Sequence, residues 1–336
     1  MDALKEKLPV PGDEVSIEER DLEWAKVSTL RIVNTIGKII KGKHEPNKLT
    51  VIGLLCRGHV LIEDIPGVGK TTLAKALARA VGGTFRRIQF TSDLRPSDIL
   101  GISVYKQGSG EFDFKPGPIF ANVLLADEIN RTNPRTQSAL LEAMNERQVT
   151  VDGTTHRLEE PFMVIATQNP HDFYGTYPLP ESQLDRFLLR IQLGYPDLEI
   201  EKEVVSCGGT DDLLGGIDPV VSLADVTKLS EMIERVKVET VLLDYLMEIV
   251  NESRKERTLT LGISPRGAIH LFRAMQAVAL MEGRSYTIPD DLQSVILPVL
   301  SHRVIPSGSY TSAPAERRRM AEQVMKEILD RIPVPV

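Results

Sequence analysis

The 336-residue chain has little cysteine: Cys56 and Cys207 stand far apart and form no CxxC pattern, so they read as structural thiols. Its six histidines show no HExxH or other paired-ligand spacing, and no protein-coordinated zinc is expected. Long apolar runs are missing too. Stretches such as Val51–Cys56 fall far short of the ~20 residues a bilayer span needs. The opening MDALKEKLPVPGDEVSIEER carries no apolar core of signal-peptide length, which makes a cytoplasmic location the expectation. An excess of positive charge is also lacking. The formal charge of −7 offers no general attraction to nucleic acid or an anionic membrane.

What is present is an ordinary globular composition, 42% hydrophobic and 26% charged, in a chain long enough for two domains. Residues 1–15 read as a polar, flexible lead-in. From Ser16 to Lys41 apolar residues recur at helical spacing, and Lys48–Arg57 reads as a second helix. Strands are expected at His59–Glu63, Phe85–Phe90, Asn122–Ala126, Phe162–Ala166 and Phe187–Leu193, with helices at Thr71–Val81 and Thr136–Glu146 between them. Such alternation predicts a parallel sheet covered on both faces. Two hairpins interrupt it, one within Ile102–Phe114 and one at Gln148–Leu158 around the turn Asp152-Gly153. Past Pro196 the pattern becomes helical: Leu198–Val205, Leu223–Val236, Thr240–Ser253, Pro265–Met281 and Asp290–Ser301. The division expected is an αβα core over residues 16–196 and a small all-helical lid over 197–336.

The chemistry starts at Asp64-Ile65-Pro66-Gly67-Val68-Gly69-Lys70-Thr71-Thr72, which follows a strand and opens a helix. That is the setting of a phosphate-binding loop. Gly67 and Gly69 let the backbone turn its N–H groups toward a polyphosphate at the helix N-terminus. Lys70 would neutralise the β- and γ-phosphates, and the Thr71 hydroxyl would ligate Mg²⁺. The full pattern asks for glycine where this chain has Asp64, so the match is incomplete. A glycine-containing turn before a surface lysine is the alternative.

The second motif weakens that alternative. Val123-Leu124-Leu125-Ala126 is an apolar strand ending in the adjacent acids Asp127 and Glu128. A strand end can hold Asp127 at the Mg²⁺ shell and Glu128 where it polarises an attacking water. A third strand runs into Thr167-Gln168-Asn169-Pro170, whose Asn169 amide could orient that water.

In this order the motifs resemble the AAA+ superfamily and, within it, the MoxR family, from about Trp24 to Arg303. The stretches that carry the resemblance are HVLIEDIPGVGKTTLAKALA (59–78), FKPGPIFANVLLADEINR (114–131), TQSALLEAMNERQVTVDG (136–153), ATQNP (166–170), LPESQLDRF (179–187) and SPR (264–266). The resemblance implies a P-loop NTPase fold, an αβα sandwich with a helical lid, that hydrolyses ATP with Mg²⁺. It implies that Asn169 is the first sensor and that Arg186 is an arginine finger reaching the neighbouring subunit's ATP. Arg266, in a helix opened by Ser264 and Pro265, is similar to the second sensor and would close the site from the lid. Ile40 and Gly42 resemble the adenine-side contact, and Arg131 and Arg135 are candidates for subunit-interface contacts. The family further implies a homo-oligomeric, hexameric ring and a chaperone-like role in maturation of, or metal insertion into, client complexes. A protein with a von Willebrand factor A domain is the implied partner. The alternative is a nucleic-acid motor or loader with the same ATP site, for which Lys106 and Arg157 near the hairpins are thin support.

Overall fold

The computed structural model describes residues 17–108, 110–170, 175–206, 214–308 and 314–335; the expected lead-in and Cys207 lie outside them. The chain opens with α1 (Glu19–Ile39) and α2 (His44–Leu55), followed by β1 (Val60–Glu63) and α3 (Lys70–Ala80). Next come β2 (Phe85–Gln89), α4 (Pro96–Leu100), the hairpin β3 (Gly101–Lys106) and β4 (Glu111–Pro116), then β5 (Val123–Asp127). After α5 (Pro134–Glu146), the hairpin β6 (Gln148–Val151) and β7 (Thr154–Arg157) leads into β8 (Met163–Gln168). A short α6 (Glu181–Leu184) and β9 (Leu189–Ile191) complete this part.

The five parallel strands lie in the order β2-β5-β8-β1-β9. Period-2 alternation gives the inner strands β1, β5 and β8 two buried faces. Val60 and Ile62, Val123 and Leu125, Met163 and Ile165 enter one hydrophobic cluster with α1, α2 and α3. Leu61, Leu124, Ala126, Val164 and Ala166 enter the other, with α5 and Phe90. Each such aliphatic side chain contributes about 1.5–3 kcal/mol by leaving water, so a slip by one residue would exchange the two faces and is strongly disfavoured.

Beyond β9 run α7 (Leu198–Ser206), α8 (Leu223–Glu234), α9 (Thr240–Lys255), α10 (Pro265–Met281), α11 (Pro289–Leu300) and α12 (Pro314–Arg331). The cluster that holds Ile32 and Ile36 of α1 also holds Leu271 and Val278 of α10, so the helical part and the sheet part share one core. The expected helices and both hairpins are present. Four features were not expected: α4, α6, α12, and a two-stranded ribbon of β10 (Leu259–Leu261) with β11 (Ile305–Pro306). In α4 Pro96 takes the first helical position, and the Asp98 carboxylate accepts the Arg95 N–H at 2.9 Å. Among the described residues no helix is long and apolar enough to cross a membrane.

Candidate functional site

Strand register brings the motif residues together. Gln89 pairs with Asp127 across β2 and β5, Ala126 with Ala166 across β5 and β8, and Glu63 with Gln168 across β1 and β8. The carboxyl ends of these strands therefore stop level with one another, the edge at which open parallel sheets bind ligands. A cavity of about 360 Å³ opens there, lined by Pro66, Gly67, Gly69, Lys70, Thr71, Thr72, Arg87, Gln89, Asp127, Glu128 and Asn169.

The loop between β1 and α3 turns through Gly67 at φ 85° and Gly69 at φ 96°, left-handed values that any residue with a Cβ adopts only under strain. A Cβ on Gly67 would meet nothing within 4 Å, so the loop's glycines serve backbone shape and leave the cavity open. The Lys70 ammonium donates to the Asp64 carbonyl at 2.7 Å.

The two acids are held by one hydroxyl. Thr167, 1% exposed, donates from Oγ1 to Asp127 Oδ1 at 2.6 Å and accepts the Glu128 N–H at 2.9 Å. Arg87 donates to the other Asp127 oxygen at 2.6 and 3.2 Å. Glu128, in the left-handed region at φ 57°, turns its carboxylate to Gln89, whose amide donates at 2.7 Å. Arg131 lies 3.3 Å from the same oxygen, while Arg135 is exposed. Thr167, Arg87 and Gln89 were missed by the sequence reading. Alternation on β2 puts Arg87 and Gln89 on one face, but only the pairing with β5 shows that this face meets the acids.

A second cavity of about 170 Å³ adjoins the first through Gly67, Gly69 and Thr72 and is apolar on its far side, where Ile40, Val68, Ile200 and Val204 line it. Gly42 does not line it. At φ 70° it packs against α7, where a Cβ would come within 2.5 Å of Ile200 Cδ1. Asp64 lines neither cavity: it is 6% exposed, with its carboxylate turned to the backbone after β9.

Arg266 meets the segment that carries Arg186, and neither arginine lines the phosphate cavity. Asp185, next to Arg186, accepts the Ser264 hydroxyl at 3.0 Å and lies 3.7 Å from the Arg266 guanidinium. Ser264 also caps α10, accepting the Gly267 N–H at 3.0 Å. The Arg186 Nε is buried with no hydrogen-bond partner among the described residues. Arg266, expected to close the site from the lid, is paired here with Asp185, on the segment that carries Arg186.

Hard oxygen donors, Thr71 and Asp127, share the cavity with Lys70 and the glycine turn, a set that suits Mg²⁺ with a polyphosphate. Among the described residues there is no cluster of His, Cys, Asp and Glu that would hold a metal by itself. An ion here would keep waters and take phosphate oxygens as ligands, as Mg²⁺ does.

A parallel sheet with this loop, acid pair and polar strand tip defines a P-loop nucleotide-binding protein with AAA architecture. Residues 59–189 match the ATPase family associated with various cellular activities (AAA), and residues 251–328 match the AAA lid domain. Over 308 residues the chain is 45% identical to the uncharacterized protein YeaC of Bacillus subtilis, covering 91% of this chain and 94% of that one. It is 44% identical over 291 residues to the chaperone MoxR1 of Mycobacterium tuberculosis, covering 84% of this chain and 77% of that one. A crystal structure from Cytophaga hutchinsonii, described as that of a candidate ATPase, is similar at a TM-score of 0.85 and 37% identity, covering 95% of this chain and 98% of that one. The chain belongs to the MoxR family of AAA+ ATPases.

Proposed function

We propose that this chain hydrolyses ATP at a site completed by the neighbouring subunit of a homo-oligomeric, hexameric ring, and that the resulting movement remodels a client protein complex. One observation carries the reading. The acids and Lys70 share a cavity that neither Arg186 nor Arg266 lines, while Arg186 holds a buried Nε with no hydrogen-bond partner among the described residues. A guanidinium so placed suits an anion brought by another subunit.

In this reading residues 16–196 are the ATPase core and 197–336 the lid. The triphosphate lies over Pro66–Thr72, with Lys70 on its β- and γ-phosphates and the base in the apolar cavity beside Ile40. Thr71 and Asp127 would hold Mg²⁺, which supplies neutralisation of phosphate charge. Asn169 orients the attacking water, and Glu128 accepts its proton as the water oxygen bonds to the γ-phosphorus and the bond to the ADP oxygen breaks. Arg186 stabilises the charge that develops at the neighbour's γ-phosphate, and Arg266 closes the site from the lid. The chaperone name of the mycobacterial relative supports work on a client. A partner with a von Willebrand factor A domain is part of the same proposal.

Steady-state ATPase assays of Glu128→Gln, Arg186→Ala and their one-to-one mixture test the site. Glu128→Gln is expected to bind ATP and lose about 10²–10⁴ in turnover, and Arg186→Ala to bind ATP and lose about 10³–10⁵. The mixture is expected to recover activity, because a subunit with an intact acid then meets one with an intact finger. Full activity in Arg186→Ala would show that each site is complete within one chain and would sink the ring reading.

A further inference from the structure

Asp64 stands where a phosphate loop carries glycine, and its side chain is not spent on phosphate. The carboxylate is buried and accepts three backbone N–H groups: Ile65 at 2.9 Å through Oδ1, and Leu193 and Gly194 at 2.7 Å each through Oδ2. Ile65 begins the phosphate loop. Leu193 and Gly194 follow β9 and start the crossing to α7.

That crossing is a wall of the second cavity, since Gly194 and Pro196 both line it. A second charged group holds it as well. Lys43, at the start of α2, donates from Nζ to the Tyr195 carbonyl at 2.6 Å. Gly194 turns there at φ 63° and leaves room for the Lys43 ammonium 4.0 Å from where a Cβ would stand. A buried carboxylate and a lysine thus grip one short segment, one by its N–H groups and one by its carbonyl. Hydrogen bonds to charged groups are the stronger kind, so the segment's position is set firmly.

We infer that Asp64 is a positioning residue for the nucleotide base: it fixes the 193–196 wall against the phosphate loop and so sets how much the base adds to binding. The inference rests on reading the two cavities as one ATP site. A glycine at 64 would leave the loop able to hold phosphates and would leave the Leu193 and Gly194 N–H groups without this partner. The wall would then be free to shift, and the apolar contact with the base would loosen.

The test separates base from phosphate. Dissociation constants for ATP and for inorganic tripolyphosphate, which has no base, are measured by calorimetry with Mg²⁺ for the unaltered chain, Asp64→Ala, Asp64→Asn and Lys43→Ala. ATP is expected to weaken about tenfold in Asp64→Ala, the loss of one to two good hydrogen bonds, with tripolyphosphate unchanged. Asp64→Asn, which keeps one acceptor oxygen, should show a smaller change in the same direction. Lys43→Ala, which releases the Tyr195 carbonyl and also removes a side chain lining the same cavity, should likewise lower the ratio of ATP affinity to tripolyphosphate affinity, and Asp64→Asn carries the comparison if Asp64→Ala does not fold. Equal weakening of ATP and tripolyphosphate would overturn the inference, because Asp64 would then act through the phosphate loop alone. An unchanged ratio in every folded variant would overturn it as well. Failure of the unaltered chain to bind ATP would remove the ATP-site reading and the inference with it.

Discussion

At the scale of single residues the buried histidine His59 shows how a polar group is made part of a core. Its Nδ1 accepts the Val164 N–H at 3.0 Å, so the proton sits on Nε2, which donates to the Met144 carbonyl at 3.1 Å. Burial holds its pKa down at about 4, since the charged ring would lose both water and the Val164 bond. The fold keeps the ring neutral while the unfolded chain takes up a proton near pH 6.5. The contribution to stability is therefore complete above that value and lost as pH falls toward 4, by about 1 kcal/mol at pH 5.5. Urea unfolding at pH 7.5 and 5.5 checks this. His59→Asn, which can still accept the Val164 N–H and cannot titrate, is expected to be less stable at pH 7.5 and to fall less between the two pH values. An equal fall in both proteins would mean that His59 is not the source.

The candidate-site residues legible in the sequence were those in motif order at a helix start or a strand end: Lys70 and Thr71 opening α3, Asp127 and Glu128 at the end of β5, and Asn169 after β8. Their local context is sufficient, because a strand end or a glycine turn into a helix fixes where the next residue points. Arg87, Gln89 and Thr167 belong to the same cavity or to the hydrogen bonds that shape it, yet they become visible only through register between distant strands. Asp64 was legible as an anomaly and not as a function, since its partners Leu193 and Gly194 lie more than a hundred positions away.

At the scale of elements the same contrast holds. The hairpin at Asp152-Gly153 announces itself, because both turn residues take left-handed backbone, at φ 49° and 79°. The ribbon of β10 and β11 does not: three residues pair with two across the whole of α10 and α11. Helix α12 is a different kind of miss. Its apolar positions Ala321, Met325 and Ile328, with Ile332 just beyond its end, recur at helical spacing, but charge density hides them in ERRRMAEQVMKEILDR. Met325 is fully buried on that stripe. Met325→Ala is expected to cost about 2–5 kcal/mol by leaving a cavity, and the exposed neighbour Lys326→Ala within about 0.5 kcal/mol. Chemical denaturation of the two variants checks this, and a neutral Met325→Ala would mean that α12 is not docked on the rest of the chain.

At the scale of the whole molecule the question is which part of the chain the proposed finger travels with. Arg186 belongs by sequence to the sheet part, but its segment is bound by the helical part. Arg303, just after α11 and 1% exposed, donates from Nε to the Asp185 carboxylate at 2.9 Å. Its other nitrogens reach the carbonyls of Asp185 and Leu188 at 3.3 Å each, and also that of Phe187. One guanidinium thus ties the backbone on both sides of Arg186 to the helices, and burial lowers its pKa only to about 10, so it remains charged at neutral pH. A rotation of the helical part would pull on this segment through Arg303, against the bonds of Leu188 and Leu189 to the His59 carbonyl. Arg303→Ala breaks a buried charge pair and is expected to lose about 3–5 kcal/mol of stability. Arg303→Lys is the sharper probe, because lysine can keep the charge beside Asp185 while losing the planar reach to the three carbonyls. It is expected to fold and bind ATP, with turnover falling toward that of Arg186→Ala. In a one-to-one mixture with Glu128→Gln it should recover activity as Arg186→Ala does, since its defect lies in the finger it offers and not in its own cavity. Turnover equal to the unaltered chain in a folded Arg303→Lys would show that Arg186 holds its place without the helical part, and the coupling would have to be sought elsewhere.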